Sequence, residues 1–191
     1  MKKLLSIIIF GVILFGILVI ASAIEAQTTW HVDDDGPNDP GPNDPSFSDP
    51  LEDGSASHPF DAIQEGIDAA SNGDTVLVLD GTFTGHGNRD LNFNGKAITV
   101  SSENGPEDCV IYCQGSETDP HRGFYFHNGE GGDSVVQGFT IQNGYTNGST
   151  PEEKSGGAIH CYSSSPTIHN NIISSNRCED GNSGGGGAFL L

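Results

Sequence analysis

The sequence predicts an all-β solenoid of short parallel strands, and three observations between Arg122 and Leu191 predict it. The first is repetition in two alternating registers. One register reads Gly123-Phe-Tyr-Phe126, Gly157-Ala-Ile-His-Cys161 and Gly187-Ala-Phe-Leu-Leu191. The other reads Gly138-Phe-Thr-Ile-Gln-Asn143 and Pro166-Thr-Ile-His-Asn170, which share Thr-Ile-x-Asn at a spacing of 27. The second observation is that apolar residues in these segments fall two apart, the period of a strand with one buried face. The third is punctuation by Gly and Asn, with no 3.6-residue apolar period to support a helix. Two strands in every thirty or so residues is the signature of stacked coils.

The register predicts which side chains go inside. Phe124, Phe126, Ile159, Cys161, Phe189 and Leu191 should point into the solenoid, while Tyr125 and His160 point out to solvent. Coils stack about 4.8 Å apart, so like residues fall above like. Asn143 and Asn170 are expected to end equivalent strands and stack at one corner, because Asn tolerates the left-handed backbone of a sharp turn.

Taken from the start, residues 1–23 read as an export signal. Lys2 and Lys3 form a positive n-region, Leu4 to Ile20 are almost wholly apolar, and Ala21-Ser22-Ala23 is a small-x-small cleavage site. An uncleaved anchor is the alternative, and with it the only expected membrane contact. The protein is therefore expected to be secreted or held at the cell surface. Residues 24–55 form an acidic, Pro-rich segment containing the tandem Gly36-Pro-Asn-Asp-Pro40 and Gly41-Pro-Asn-Asp-Pro45, preceded by a short strand from Thr28 to Val32. Such Pro density forbids helix and ladder, so the segment reads as a linker. Its carboxylates Asp33, Asp35, Asp39 and Asp44 are candidate calcium ligands, although they do not fit an EF-hand loop.

Residues 56–191 are the predicted solenoid domain, ending in the middle of a strand, so the chain is expected to be part of something longer. At its start, Phe60, Ile63, Ile67 and Ala70 make one helical face over 58–70. Asp61 with Gln64 offers an N-cap and Ser71-Asn72-Gly73 a stop. This helix is expected to cap the open end of the solenoid. Strands are predicted at 74–79, 96–101 and 109–113. Tyr145 to Ser155 reads as an insertion bulging from the outer face, where solenoids tend to place function.

Composition narrows the partners. Seven basic against 26 acidic residues, a net charge of −19, leave no basic patch for duplex nucleic acid or an anionic membrane. Of the four cysteines, Cys109 and Cys113 lie about 13 Å apart on one strand, too far to bridge each other. Buried free thiols are favoured over disulfides. Zinc binding is not expected, since no CxxC or HxxxH pair is present.

His58-Pro-Phe-Asp-Ala-Ile-Gln-x-x-Ile-Asp-Ala-Ala70, followed by Gly73-Asp-Thr-Val-x-Val78 and Gly81-Thr-Phe83, resembles the N-terminal cap and first coil of right-handed parallel β-helix proteins of the pectate-lyase-like superfamily. The pattern Gly-Gly-Ala-Ile-His-Cys161…Ser-Pro-Thr-Ile-His-Asn-Asn-Ile-Ile173 is similar to that superfamily's repeat. The resemblance spans about 56–191 and implies a right-handed parallel β-helix with a capping helix. The superfamily holds lyases, hydrolases, esterases, epimerases, adhesins and members without known activity, so it leaves catalysis open.

For a polysaccharide lyase, the resemblance implies calcium held by Asp and an Arg or Lys base acting beside a uronate carboxylate. Asp119, His121 and Arg122, in Asp119-Pro-His-Arg122, are the catalytic candidates, without a residue-by-residue match to a lyase motif. The carboxylates Glu130, Asp133, Glu179 and Asp180 lie scattered in loops and show no hydrolase pairing. His127, His160 and His169 read as exposed polar residues. The functional expectation is binding or processing of extracellular polysaccharide; a non-enzymatic surface or adhesion stalk is the alternative. Ionic residues clustered on one outer face of adjacent coils would favour the first.

Overall fold

The computed structural model describes residues 26–34, 51–150, 152–179 and 189–190. The predicted leader, the calcium candidates Asp35, Asp39 and Asp44, and the last core position, Leu191, lie outside them. In chain order the elements are β1 (Thr29–Val32), α1 (Ile63–Ala69), β2 (Thr75–Val78), β3 (Gly81–Thr84), β4 (Thr99–Ser102), β5 (Cys109–Tyr112), β6 (Phe124–Phe126) and β7 (Val135–Gln137). They continue with β8 (Thr140–Gln142), β9 (Tyr145–Thr146), β10 (Ile159–Cys161), β11 (Thr167–His169), β12 (Ile172–Ser174), β13 (Arg177–Cys178) and β14 (Phe189–Leu190). Every strand pairing is parallel and joins one coil to the next. The ladders run β1-β2-β4-β7-β11, β3-β5-β8-β12, β6-β10-β14 and β9-β13. The chain is a parallel β-solenoid with a single described helix.

The first predicted register holds. Phe124 pairs with Ile159, Tyr125 with His160 and Phe126 with Cys161, and Ile159 pairs in turn with Phe189. Phe124, Phe126 and Ile159 are fully buried and Cys161 nearly so. Phe93 meets Phe126 edge-on at 4.9 Å, and Phe124 lies over Phe126 at 6.1 Å. Leu91 bridges to Phe124, so Leu91-Asn92-Phe93 extends this sheet backward with Leu91 and Phe93 buried.

The second register is corrected. Thr140 pairs with Ile172, while Thr167 pairs with Val135, so the two Thr-Ile-x-Asn segments belong to different sheets. Asn143 and Asn170 do not stack. Each ends a strand in the left-handed region (φ 59° and 53°), as Gly138 does at φ 85°, because the chain turns a corner after each of these three strands. The shared motif marks a recurring kind of corner. The stabilising asparagines are Asn171 and Asn176. Asn171 accepts from Phe139 N and donates to Val136 O, and Asn176 accepts from Gly144 N and donates to Ile141 O, each reaching back one coil.

The helix is shorter than predicted, and its N-terminus is met differently. Ala62 is the N-cap and makes no side-chain cap bond. The Ile63 amide donates instead to Asn88, a buried side chain that also donates to Thr84 O. Ile63 and Ile67 are buried, and α1 lies on β1 and β2 with Gly66 against Val32 and Val76. A Cβ at Gly66 would sit 2.7 Å from Val76 Cγ1, so a side chain would lift the helix off the sheet. The outer edge of β1 is occupied by residues 54–60: His31 N donates to Gly54 O, Phe60 N to His31 O, and Asp33 N to Phe60 O. Asp74 fastens the same end, accepting from Thr28 N, Ser71 N and Trp30 Nε1.

Candidate functional site

The loop 85–90 leads into Leu91, and the loop 114–122 leads into the equivalent Phe124 one coil later. That stacking brings Arg89 and Asp90 beside Asp119, His121 and Arg122. Asp90 Oδ1 accepts from Arg122 N at 2.9 Å, and Asp90 Oδ2 lies 2.5 Å from His121 Nδ1. On its other side, His121 Nε2 is 3.1 Å from Asp119 Oδ1, a contact too poorly directed to be a hydrogen bond. Arg89 donates to Cys113 O and stands 3.8 Å from Asp119. A cavity of about 290 Å³ opens here, lined by Gln64, His86, Gly87, Arg89, Asp90 and His121.

The structure thus brings the predicted Asp119 and His121 together on the flank of this cavity. Arg122 is placed differently. Its backbone joins the cluster, but its guanidinium turns along the outer face of the sheet, over the Tyr125 ring at 4.8 Å from the centroid. There it contacts His160 Nδ1 at 2.7 Å and donates to Glu152 O at 3.1 Å. Because a guanidinium only donates, His160 Nδ1 must be the acceptor and the ring neutral. Burial, reinforced by Arg122, holds His160 below its ordinary value; burial also lowers Arg122, with Asp90 opposing.

His160 corrects the expectation of an exposed face. Its side chain does point away from the core, yet only 2% of the residue is accessible. Residues that follow the 145–155 insertion fold over it, with Gly156 against its Cβ. The insertion itself opens with β9, whose Tyr145 exchanges backbone hydrogen bonds with His121. Tyr125 stacks between these groups, 4.0 Å from His127 and 5.2 Å from His160. His169 is exposed on β11, as read from the sequence.

Other acids have distinct settings. Asp33 is described beside β1, whereas Asp180 lies outside the described residues. Glu130, read as a loop carboxylate, is buried and accepts from Gly95 N, Asn128 N and Ser164 Oγ, spanning three coils. Burial opposes its charge, but these donors prevail and hold the carboxyl below its usual value. Among the described residues, one trio of potential metal ligands converges: oxygens of Glu52, Asp61 and Glu65 lie within 4.8 Å of one another. Partial burial, with Asp61 and Glu52 adjoining, pushes Glu65 up to about 8.

All four cysteines are thiols outside any disulfide. Burial drives Cys109 upward, Cys113 to about 12 and Cys161 to about 11, so none of these three is an activated nucleophile.

The sequence pattern alone does not single out His86, Arg89 and Asp90. It does hold a signal: Arg89-Asp-Leu-Asn-Phe93 aligns with Arg122-Gly-Phe-Tyr-Phe126 and carries the first register one coil back. Comparison with protein-family models, curated proteins and solved structures finds no match.

Proposed function

We propose that this chain is an exported, right-handed parallel β-helix module of pectate-lyase-like kind, with α1 as its N-terminal cap, that binds extracellular polysaccharide. One observation carries the reading: Arg89 and Asp90 from one coil and His121 from the next line a single cavity, with Asp119 just outside it beside Arg89 and His121. A concave site with convergent polar groups is where a solenoid of this kind would hold a ligand. The proposal is of binding: Asp90 and Asp119 flank the two ring nitrogens of His121, and Arg89 is held by Cys113 O beside Asp119.

The second reading is a non-enzymatic stalk or adhesion module. It draws on the mutual pairing of these same charges, which could serve only to fasten one coil to the next. The test is glycan binding by the purified chain, measured by calorimetry against neutral and acidic plant and bacterial polysaccharides. Saturable binding that weakens in Arg89→Ala supports the first reading. Absence of binding to every glycan by folded protein sinks it and leaves the stalk.

A further inference from the structure

The charge and size of the Arg89–His121 cavity bear on which sugar it would take. Arg89 is its only fixed positive charge among the described residues of the cluster, and it already faces Asp119, with Asp90 beside His121. A uronate would bring a third carboxylate to this one guanidinium, in a chain already carrying −19. At about 290 Å³ the cavity lies at the lower bound for small-molecule pockets and matches a single sugar ring in size.

Its hydrogen-bonding groups are mixed and held in place. Asp90 is fixed by Arg122 N and His121 Nδ1, and each of its oxygens keeps a further lone pair. Arg89 is steadied by Cys113 O and retains unused N–H donors. His121 Nε2 is buried without a well-directed hydrogen bond. Gln64 serves as wall, because both ends of its amide are engaged by Asn92 and Asp68. A hydroxyl both donates and accepts, so vicinal hydroxyls match such a set better than an acceptor-only carboxylate does. Preorganised partners reduce the ordering cost of binding.

We infer that this cavity binds a single uncharged sugar residue, a chain end or a side branch, in preference to a uronate. The inference rests on the polysaccharide reading above and specifies its ligand. The experiment titrates the full chain with neutral gluco- and galacto-oligosaccharides and with oligogalacturonates of equal length, followed by calorimetry. The expected result is binding of at least one neutral series, with oligogalacturonate weaker by about ten-fold or more. Arg89→Ala and Asp90→Asn, each checked for native circular dichroism, should weaken the neutral ligand by about ten-fold, the loss expected for a hydrogen bond to a charged group. Equal or tighter binding of oligogalacturonate overturns the inference while leaving polysaccharide binding intact. Neutral binding unmoved in both folded variants places the sugar elsewhere and overturns it too. If no oligosaccharide or polysaccharide binds the folded chain, the parent reading falls with it.

Discussion

Replacing Glu130 with Ala should remove a tie that spans three coils. In the wild type Glu130 is 2% exposed, and its carboxylate accepts from Gly95 N at 2.9 Å, Asn128 N at 2.9 Å and Ser164 Oγ at 2.8 Å. Hydrogen bonds to a charged group contribute about 1.5–3 kcal/mol each, and the abandoned Gly95 and Asn128 amides, both on exposed residues, would turn to water, which keeps the loss near the low end. Taking the low end for three bonds gives a loss of roughly 4 kcal/mol, a large part of an ordinary domain's stability. In a domain of this size that corresponds to a fall in Tm of about 8–16 °C. Glu130→Gln should lose less, since its amide oxygen can still accept. The pH dependence identifies the cause. Because the folded carboxyl lies below its unfolded value, the charge-dependent stabilisation is present above about pH 4.3 and disappears as acid protonates the folded state. Denaturant melts of wild type and Glu130→Ala at pH 7 and at successively lower pH should therefore converge. A deficit under about 1 kcal/mol at pH 7, or one that persists unchanged in acid, would refute this account.

Four further outcomes are expected. Ile159→Asp places an unpaired charge at a fully buried position stacked on Phe124 and should cost about 3–5 kcal/mol, abolishing the native circular dichroism spectrum. Tyr125→Asp, on the outer side, loses the Arg122 contact and the stacking on His127 and His160 and should cost about 1–2 kcal/mol, less than Ile159→Asp; equal damage at both positions would contradict the register. In the native protein Cys109, Cys113 and Cys161 should react with a thiol reagent only on unfolding; fast reaction of these three would contradict their burial. His160 is held neutral below its ordinary value, so the unfolded chain takes up a proton first as pH falls through about 6.5 and stability drops. Protection factors over residues 152–158, taken against the intrinsic exchange rate at each pH, should fall below that pH, and the fall should be absent in His160→Gln.

The sequence by itself determined the class of fold and much of the strand register. Alternation in Phe124-x-Phe126 and Ile159-x-Cys161 states which face is buried, and burial of one face permits a single stacking. The same kind of evidence failed for Thr-Ile-x-Asn, because a corner repeats within a coil as well as between coils, and local chemistry does not say which recurrence is the stacking one. Tertiary structure alone decided the remainder. Asn88 meets the helix N-terminus from 25 residues away. The segment after β9 buries a histidine whose alternation marks it as outward. Arg89 and Asp90 reach Asp119 and His121 only through the stacking of two loops whose lengths differ. Polar contacts between coils depend on how each loop folds back, and the apolar periodicity that sets the core carries no record of that path.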